Sequence, residues 1–138
     1  MIASRKLEDL HPRIAEMARA HIAACAKVGI DLLVYCTLRD NEAQDALYAQ
    51  GRRKPGPVVT NARAGQSLHN YGLAYDCVPL VNGKADWNSK RWPEIGRLGE
   101  EVGLEWAGRW TGKLKETAHF QFDGGLSIAE LQSGKTFA

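Results

Sequence analysis

The chain has 138 residues, of which 44% are hydrophobic and 25% are charged, and its formal net charge is +2 with an isoelectric point near 8.5. This composition is that of an ordinary globular protein and excludes a disordered chain, and the length predicts one domain over residues 1–138. The slight positive charge suits an anionic polymer but is too small to indicate nucleic-acid binding.

The three cysteines and the N-terminus restrict the environment of the chain. Cys25, Cys36 and Cys77 are odd in number and form no CxxC pair, so we expect a reducing compartment and neither a disulfide framework nor a thiolate zinc knuckle. The first nine residues lack the apolar segment of a secretory signal, and no apolar run approaches the roughly 20 residues of a membrane helix. We therefore expect no signal peptide and no membrane partner.

The N-terminal part predicts a helix followed by a strand. Apolar residues recur at helical spacing after Pro12, and Gly29 ends the pattern. These residues are Ile14, Met17, Ala18, Ile22 and Cys25. His11 and His21 lie at the start and on the body of this helix, and we expect surface or edge-of-core imidazoles. Residues 31–37 are aliphatic and β-branched and predict a buried strand.

Polar residues follow this strand, in a position where functional side chains often lie on loops. Arg39 is either a surface charge or a group that binds a substrate carboxylate. Asp40 is a candidate cap for a second helix that ends at Gly51, and Gln44 either forms a hydrogen bond beside a site or is solvated. Residues 52–66 predict a long basic surface loop, which is either a solvated connection or the rim of a site.

The segment 67–78 combines an imidazole and a carboxylate. We place His69 on a turn and residues 73–78 on a strand, whose alternation puts Asp76 on one face and Tyr75 and Cys77 on the other. Ser67 is assigned either a hydrogen bond to substrate or ligand, or a local turn role. The Asn-Gly dipeptide at 82–83 predicts a tight hairpin and therefore a partly antiparallel sheet.

The C-terminal third predicts a helix, a strand and a short covering helix. Ser89 or Asn88 is the expected cap of a helix that Gly103 closes. Trp106 and Trp110 follow it as core or lid residues, with a substrate contact as the alternative. Residues 117–122 predict a strand with His119 and Gln121 on one face, and residues 127–130 have the form of a capping box.

Two histidines and two acids in these segments suggest a metal site. A catalytic zinc takes about three ligands from His and Asp or Glu and leaves a position for water. His69 and Asp76 supply two, and His119 is the histidine in a comparable context with an acid beside it. We therefore predict a zinc bound by His69, Asp76 and His119, with Glu116 as the proton carrier; the chain must bend at Glu116 for its carboxylate to reach the site.

The motif around these residues resembles the zinc D,D-peptidase group, peptidase M15 or VanY-like. This group holds the D-alanyl-D-alanine carboxypeptidases and dipeptidases and the L-alanyl-D-glutamate endopeptidases of phages and bacilli. The shared pattern is Ser67-x-His69-x-x-Gly72-x-Ala74-x-Asp76, followed by an acidic residue three before a histidine. Further segments resemble the endopeptidase branch of phage endolysins, at 38–39, 44, 47–52, 55–56, 59–60 and 103–106.

The resemblance implies an α+β fold of the hedgehog/D,D-peptidase type, with a mostly antiparallel sheet flanked by helices. It implies a Zn2+-dependent monomer that hydrolyses the L-alanyl-D-glutamate bond of peptidoglycan stems with metal-activated water. Arg39 would steady the substrate or the developing oxyanion, and Ser67, Gln44 and Trp106 would contact substrate. An endolysin without a signal would stay in the cytoplasm of the bacterial host until released to the wall. Arg109 stands where the family often has an acid.

Two other functions remain open at this stage. A D-alanyl-D-alanine carboxypeptidase or dipeptidase uses the same chemistry on a different bond. A catalytically inactive zinc-bearing wall-binding module is the alternative from another class, although such a module would not require Glu116 and Arg39.

Overall fold

Helices cover one face of an antiparallel sheet, and the other face carries a polar cluster. The computed structural model describes residues 1–112 and 115–137. Among these residues the α-helices are α1 (Pro12–Lys27), α2 (Asn41–Ala49), α3 (Trp92–Glu101) and α4 (Ile128–Gln132). The strands are β1 (Asp31–Cys36), β2 (Ala74–Val81), β3 (Lys84–Ala85), β4 (Glu105–Trp106) and β5 (His119–Gln121). No helix in this part of the chain combines the length and the apolar character that crossing a bilayer requires.

The sheet has the order β1-β2-β5-β4, and β3 pairs with β2 outside this path. Each of these pairings is antiparallel, which confirms the predicted α+β fold. A bulge in β1 shifts its register between Val34 and Cys36, so that Cys36 and not Tyr35 lies opposite Asp76. The bulge therefore adds Cys36 to the face of the sheet that carries Asp76.

Most helix and turn signals in the sequence are confirmed. Asp40 caps α2 by accepting a hydrogen bond from the Ala43 amide at 2.8 Å, and the capping box at the start of α4 is complete. The hairpin turn at 82–83 has φ of 52° and 77°, as a type I′ turn needs. The cap of α3 was predicted wrongly: it is Arg91, whose amide donates to the Ser89 hydroxyl at 3.1 Å.

His21 lies inside the core and not at its edge. It shares the buried side of α1 with Ala18 and Cys25, three residues before it and four after it. Its Nε2 donates to the Ile95 carbonyl oxygen at 2.8 Å, and its Nδ1 accepts from the Tyr75 hydroxyl at 2.7 Å. Burial lowers the pKa of His21, so the ring stays neutral and ties α1 to both α3 and β2.

Gly96 marks the place where α3 packs against the Trp106 side chain. A Cβ built at Gly96 would lie 2.1–2.5 Å from three atoms of the Trp106 ring. Gly96→Ala should therefore destabilise the protein by about 1–3 kcal/mol through overpacking, although alanine usually stabilises a helix by about 1 kcal/mol over glycine. Urea unfolding measures the change.

The matched control for Gly96→Ala is Arg97→Ala, at the next and exposed position of the same helix. Arg97 forms a surface ion pair with Glu101 at 2.8 Å, so its loss should cost no more than about 0.5 kcal/mol. A Gly96→Ala protein that is more stable than the wild type would contradict the packing described.

Candidate active site

The sheet and one turn bring His69, Asp76 and His119 together. Asp76 on β2 pairs directly with His119 on β5, and His69 comes from the 3-10 helix Leu68–Tyr71 just before β2. Asp76 Oδ1 lies 3.1 Å from His119 Nδ1, and Asp76 Oδ2 lies 3.3 Å from His69 Nε2. The carboxylate therefore lies between two imidazoles, whose ring centroids are 5.1 Å apart.

Local hydrogen bonds shape the turn that carries His69. The Ser67 side chain accepts from the His69 amide at 3.2 Å, and the Asn70 side chain completes a capping box. Gly72 ends the turn with φ of 69°, and a Cβ there would lie 2.9 Å from the backbone nitrogen of His11. Glycine is required at this position both by the backbone angle and by the space.

Each imidazole is oriented by an oxygen on its outer side. His69 Nδ1 donates to the Thr37 carbonyl oxygen at 2.8 Å, and His119 Nε2 lies 2.8 Å from the amide oxygen of Gln121. These contacts leave His69 Nε2 and His119 Nδ1 as the nitrogens that face Asp76. Outer partners of this kind orient metal-binding histidines in proteins.

The donor atoms of this cluster suit a divalent cation. With their outer N–H groups engaged, two neutral rings and one carboxylate direct lone pairs at a common space, which is unfavourable unless a proton or a cation lies there. Two imidazoles and one carboxylate are also a ligand set of catalytic zinc sites. The ligand atoms of Asp76, Glu116 and His119 lie within 4.8 Å of one another, and so do those of Cys36, His69 and Asp76.

Cys36 lies beside this cluster and was missed in the sequence. Its Sγ is 3.7 Å from His69 Nδ1 and 3.3 Å from Arg39 Nη2. The thiol meets the ring at Nδ1, the nitrogen that donates to the Thr37 carbonyl oxygen, and its Sγ also lies within 4.8 Å of an Asp76 carboxylate oxygen. Burial opposes ionisation of the thiol, but His69 and Arg39 outweigh it and hold the pKa of Cys36 below its usual value. We therefore place Cys36 next to the ligands and not among them.

Without a cation, His69 and Asp76 hold a proton between them. Burial disfavours the charged form of each group, but their mutual attraction wins. It raises the pKa of His69 to about 10 and, with His119, lowers the pKa of Asp76 well below its usual value. A positive charge at this place is therefore strongly favoured, whether a proton or a metal ion supplies it.

The metal-free protein should gain the full stability of this pair between about pH 4 and pH 6.5, and less on either side of this window. The contribution of Asp76 is present above the ordinary aspartate pKa of about 4 and is lost as pH falls below it. The contribution of His69 is complete below the ordinary histidine pKa of about 6.5 and is lost as pH rises toward its folded value. Thermal unfolding in EDTA across this range measures the window. In His69→Gln, the loss of stability on the alkaline side of the window should disappear.

Added Zn2+ competes with the proton on His69, so the increase in melting temperature that it causes should grow between about pH 6 and pH 8. Parallel melts with EDTA and with Zn2+ at each pH measure the difference. A zinc-induced increase that shrinks as pH rises would contradict the site.

Arg39 reaches the cluster from the end of β1. Its Nη2 lies 3.9 Å from Asp76 Oδ2, and its Nη1 donates to the Gln44 side-chain oxygen at 2.7 Å. Gln44 is fully buried and also donates to the Ala62 carbonyl oxygen at 2.7 Å. The main chain is fixed as well, since the Arg39 amide donates to the His69 carbonyl oxygen at 3.0 Å. The guanidinium is therefore held rigidly at the edge of the cluster.

Glu116 lies just outside the strand that carries His119. The chain turns at 117–118, and the Glu116 carboxylate lies 3.8 Å from His119 Nδ1, so the bend that the sequence analysis required is present. The side chain is 55% exposed. Glu116 is therefore near enough to exchange protons at the cluster and open enough to reach a substrate.

These residues lie in an open cleft of about 1660 Å³. The extended segment 58–62 forms part of its wall, and Tyr35, Trp110 and residues 126–128 form other parts. Arg52 and Lys115 add positive charge among the lining residues. The carboxylates of Asp76, Glu116 and Asp123 also line the cleft, which is long enough to take an extended chain across the polar cluster.

Comparison with known proteins identifies the family. A sequence profile of peptidase family M15, described as D-alanyl-D-alanine carboxypeptidase, matches residues 60–122, which include all three residues of the cluster. The peptidoglycan L-alanyl-D-glutamate endopeptidase CwlK of Bacillus subtilis (strain 168) is 39% identical, over 82% of this chain and 73% of that protein. The chain belongs to peptidase family M15. The resemblance seen in the sequence is confirmed.

Solved structures share the M15 fold. The L-Ala D-Glu endopeptidase ChiX of Serratia marcescens superposes with a TM-score of 0.65 at 22% identity, over 88% of each chain. The vancomycin-resistance D,D-pentapeptidase VanY, solved in complex with Zn(II), superposes with a TM-score of 0.63 at 19% identity, over 89% of this chain and 83% of that one. At these identities the likeness establishes the fold.

Of the three predicted substrate contacts of this M15 chain, Ser67 lines the cleft and the other two do not. Gln44 does not line the cleft; it is buried and holds Arg39. The predicted substrate contact of Trp106 is also wrong, because its side chain is 6% exposed and packs in the core, with Nε1 donating to the Thr117 carbonyl oxygen.

Ser67 lines the cleft, but its hydroxyl is engaged in the local turn. Trp110 lines the cleft instead, with its ring 6.0 Å from that of His119.

Arg109 pairs with an acid on the outer surface and does not line the cleft. It forms two hydrogen bonds with Glu100, at 2.9 and 3.0 Å, on the outer surface beside α3. Its guanidinium lies 5.3 Å from the centre of the Trp106 ring. The charge of Arg109 is thus neutralised outside the cleft.

Proposed function

We propose that the protein is a zinc-dependent peptidoglycan peptidase that hydrolyses the L-alanyl-D-glutamate bond of the peptide stem. The observation that carries the proposal is the convergence of His69 Nε2, Asp76 and His119 Nδ1 in a cleft beside Glu116 and Arg39. Membership of family M15 and the 39% identity to CwlK support it. The choice of bond follows the endopeptidase CwlK, since the likeness to it covers most of the chain.

The bound metal, Glu116 and Arg39 have separate roles in the proposed reaction. Zn2+, when bound by His69, Asp76 and His119, supplies a Lewis acid that lowers the pKa of water and polarises the peptide carbonyl. Glu116 takes the proton from the attacking water and gives it to the leaving amine of D-glutamate. Arg39, already fixed by Gln44, offers a donor to the negative charge that develops on the carbonyl oxygen.

Basic side chains in the cleft lining offer partners to an acidic stem. D-Glutamate leaves a free carboxylate next to the bond that is cut, and Arg52 and Lys115 lie among the cleft residues. The Arg52 guanidinium lies 3.8 Å from the centre of the Tyr48 ring and donates to the Thr60 carbonyl oxygen at 3.0 Å, so part of the basic loop is ordered at the rim. This favours the reading of the 52–66 loop as a rim that meets anionic peptide.

Digestion of purified muropeptides tests the assignment of the bond. Mass spectrometry should show products with a new N-terminal D-glutamate and glycan that retains L-alanine. Release of free D-alanine would instead identify a D-alanyl-D-alanine carboxypeptidase, the description of the family profile that matches the chain. Zinc binding without any cleavage would identify an inactive wall-binding module.

The setting of the enzyme is part of the same proposal. We propose a monomeric phage endolysin that stays in the bacterial cytoplasm until the membrane is opened, on the basis of the likeness to the endopeptidase branch. Expression in the cytoplasm should be harmless until a holin or chloroform permeabilises the membrane, and lysis should then follow. Sedimentation analysis should give the mass of one chain, 15.2 kDa.

A further inference from the structure

A half-buried tyrosine and an exposed tryptophan pack together beside the polar cluster. Tyr35 lines the cleft, and Trp87 meets it edge-on with ring centroids 5.4 Å apart. Tyr35 directly precedes Cys36, the partner of Asp76 across the sheet, so the pair lies next to the catalytic residues. The surface is therefore continuous with the site and not a separate patch.

Trp87 differs from the other tryptophans in its exposure. It is 55% exposed, whereas Trp92 and Trp106 are 7% and 6% exposed. Trp110 is partly buried, and its Nε1 donates to the Glu105 carboxylate at 2.7 Å. An indole that is more than half exposed offers a large, rigid face on which a ligand can pack.

The chemistry of the proposed substrate indicates which group lies next to the bond that is cut. The L-alanyl-D-glutamate bond is the first peptide bond of the stem, and the L-alanine before it is joined through a lactyl group to N-acetylmuramic acid. One residue spans at most about 3.6 Å, so the sugar ring begins roughly 7 Å from the bond that is cut. An enzyme that cuts here must either leave room for the glycan or bind it.

We propose that Tyr35 and Trp87 form a platform that binds the N-acetylmuramic acid ring of the glycan, an inference that rests on the proposed function. The C–H groups on one side of a pyranose ring carry slight positive charge and pack well on the negative face of an aromatic ring. The platform makes the enzyme prefer stems that are still attached to glycan over free peptides.

Comparing two substrates tests the platform. The first is the disaccharide N-acetylglucosaminyl-N-acetylmuramic acid with its tetrapeptide, and the second is the same tetrapeptide without sugar. Wild-type kcat/KM should favour the first by about threefold to tenfold, the size expected for one aromatic contact of roughly 0.5–1.5 kcal/mol. Trp87→Ala should remove this preference and leave cleavage of the free peptide unchanged, while Trp87→Phe should keep most of it.

Val81→Ala is the matched control, because it removes an equally exposed apolar side chain, at 54%, without an aromatic face. It should leave the substrate ratio as in the wild type. Equal rates of the wild type on both substrates, or an equal loss on both in Trp87→Ala, would overturn the platform while the cut at L-alanyl-D-glutamate still stood. No cut at that bond in either substrate would instead overturn the proposed function.

A second measurement needs no variant. The disaccharide without peptide should inhibit cleavage of the glycan-bearing substrate by the wild type. Absence of inhibition at disaccharide concentrations far above the substrate KM would count against the platform even if Trp87→Ala failed to fold.

Discussion

Asp76→Ala should abolish peptidase activity and most of the zinc binding. The Asp76 carboxylate contacts both imidazoles, at 3.1 and 3.3 Å, so its removal leaves two ligands without the charge that balances the cation. Loss of an outer partner of a ligand typically costs about 10–100-fold in metal affinity, and loss of a ligand should cost more. Zinc content after dialysis and the rate of muropeptide cleavage measure the two effects.

Asp31→Ala is the matched control for this experiment. Asp31 is an exposed carboxylate on β1, opposite Leu80 and at the far end of the strand from Cys36. It should keep both zinc and activity. An Asp76→Ala protein that retained one equivalent of zinc and cleaved muropeptides at the wild-type rate would show that the metal is held elsewhere.

Glu116→Gln should keep the metal and lose most of the catalytic rate. The Glu116 side chain is 55% exposed and stands 3.8 Å from His119 Nδ1, whereas Asp76 approaches both imidazoles more closely. Glutamine has the same shape but cannot carry a proton, and a positioned general acid–base group contributes about 10²–10⁴ to the rate. We expect kcat to fall by that factor, with little change in KM or zinc content.

Glu101→Gln controls for the loss of a surface charge. Glu101 pairs with Arg97 on the exposed side of α3 and should have no effect on kcat. If Glu116→Gln kept wild-type kcat, another group would have to move the proton. If it lost zinc in proportion to activity, Glu116 would be a ligand and not the proton carrier.

The convergence of His69, Asp76 and His119 was predictable because each residue lies in a segment with a clear local signal. A turn followed by strand alternation fixes where His69 and Asp76 point, and the alternation of β5 puts His119 on the matching face. The pairing of Asp76 with His119 then needs only that the two strands be neighbours. Local patterns of this kind survive folding, since the side-chain direction follows from the backbone alone.

Cys36 was not predictable by the same reasoning. Regular alternation along β1 gives Tyr35, and not Cys36, the position opposite Asp76; the bulge between Val34 and Cys36 moves the register by one residue. A bulge depends on how two strands fit and leaves no clear mark in one sequence. The same limit applies to Gln44, whose partners are set by the path of the 52–66 loop.

Trp106 shows how composition misleads near a site. A tryptophan close to the last strand suggests a substrate platform, but the glycines at 96 and 108 leave space for its ring in the core. A Cβ at either position would lie 2.2 Å or less from the indole. The tryptophan with the exposed indole is Trp87, which the sequence analysis did not single out, because exposure depends on which residues the fold leaves uncovered.

The frame around the proposed metal ligands is held by hydrogen bonds within the chain. The Thr37 carbonyl holds His69, the Arg39 amide donates to the His69 carbonyl, and Asn70 returns a hydrogen bond to the Arg39 carbonyl at 2.9 Å. In a zinc finger the ion is what folds the chain, but here three hydrogen bonds stitch the strand end to the turn beforehand. A chelator should therefore stop the activity without unfolding the protein. Added Zn2+ should then restore the full rate without a refolding step.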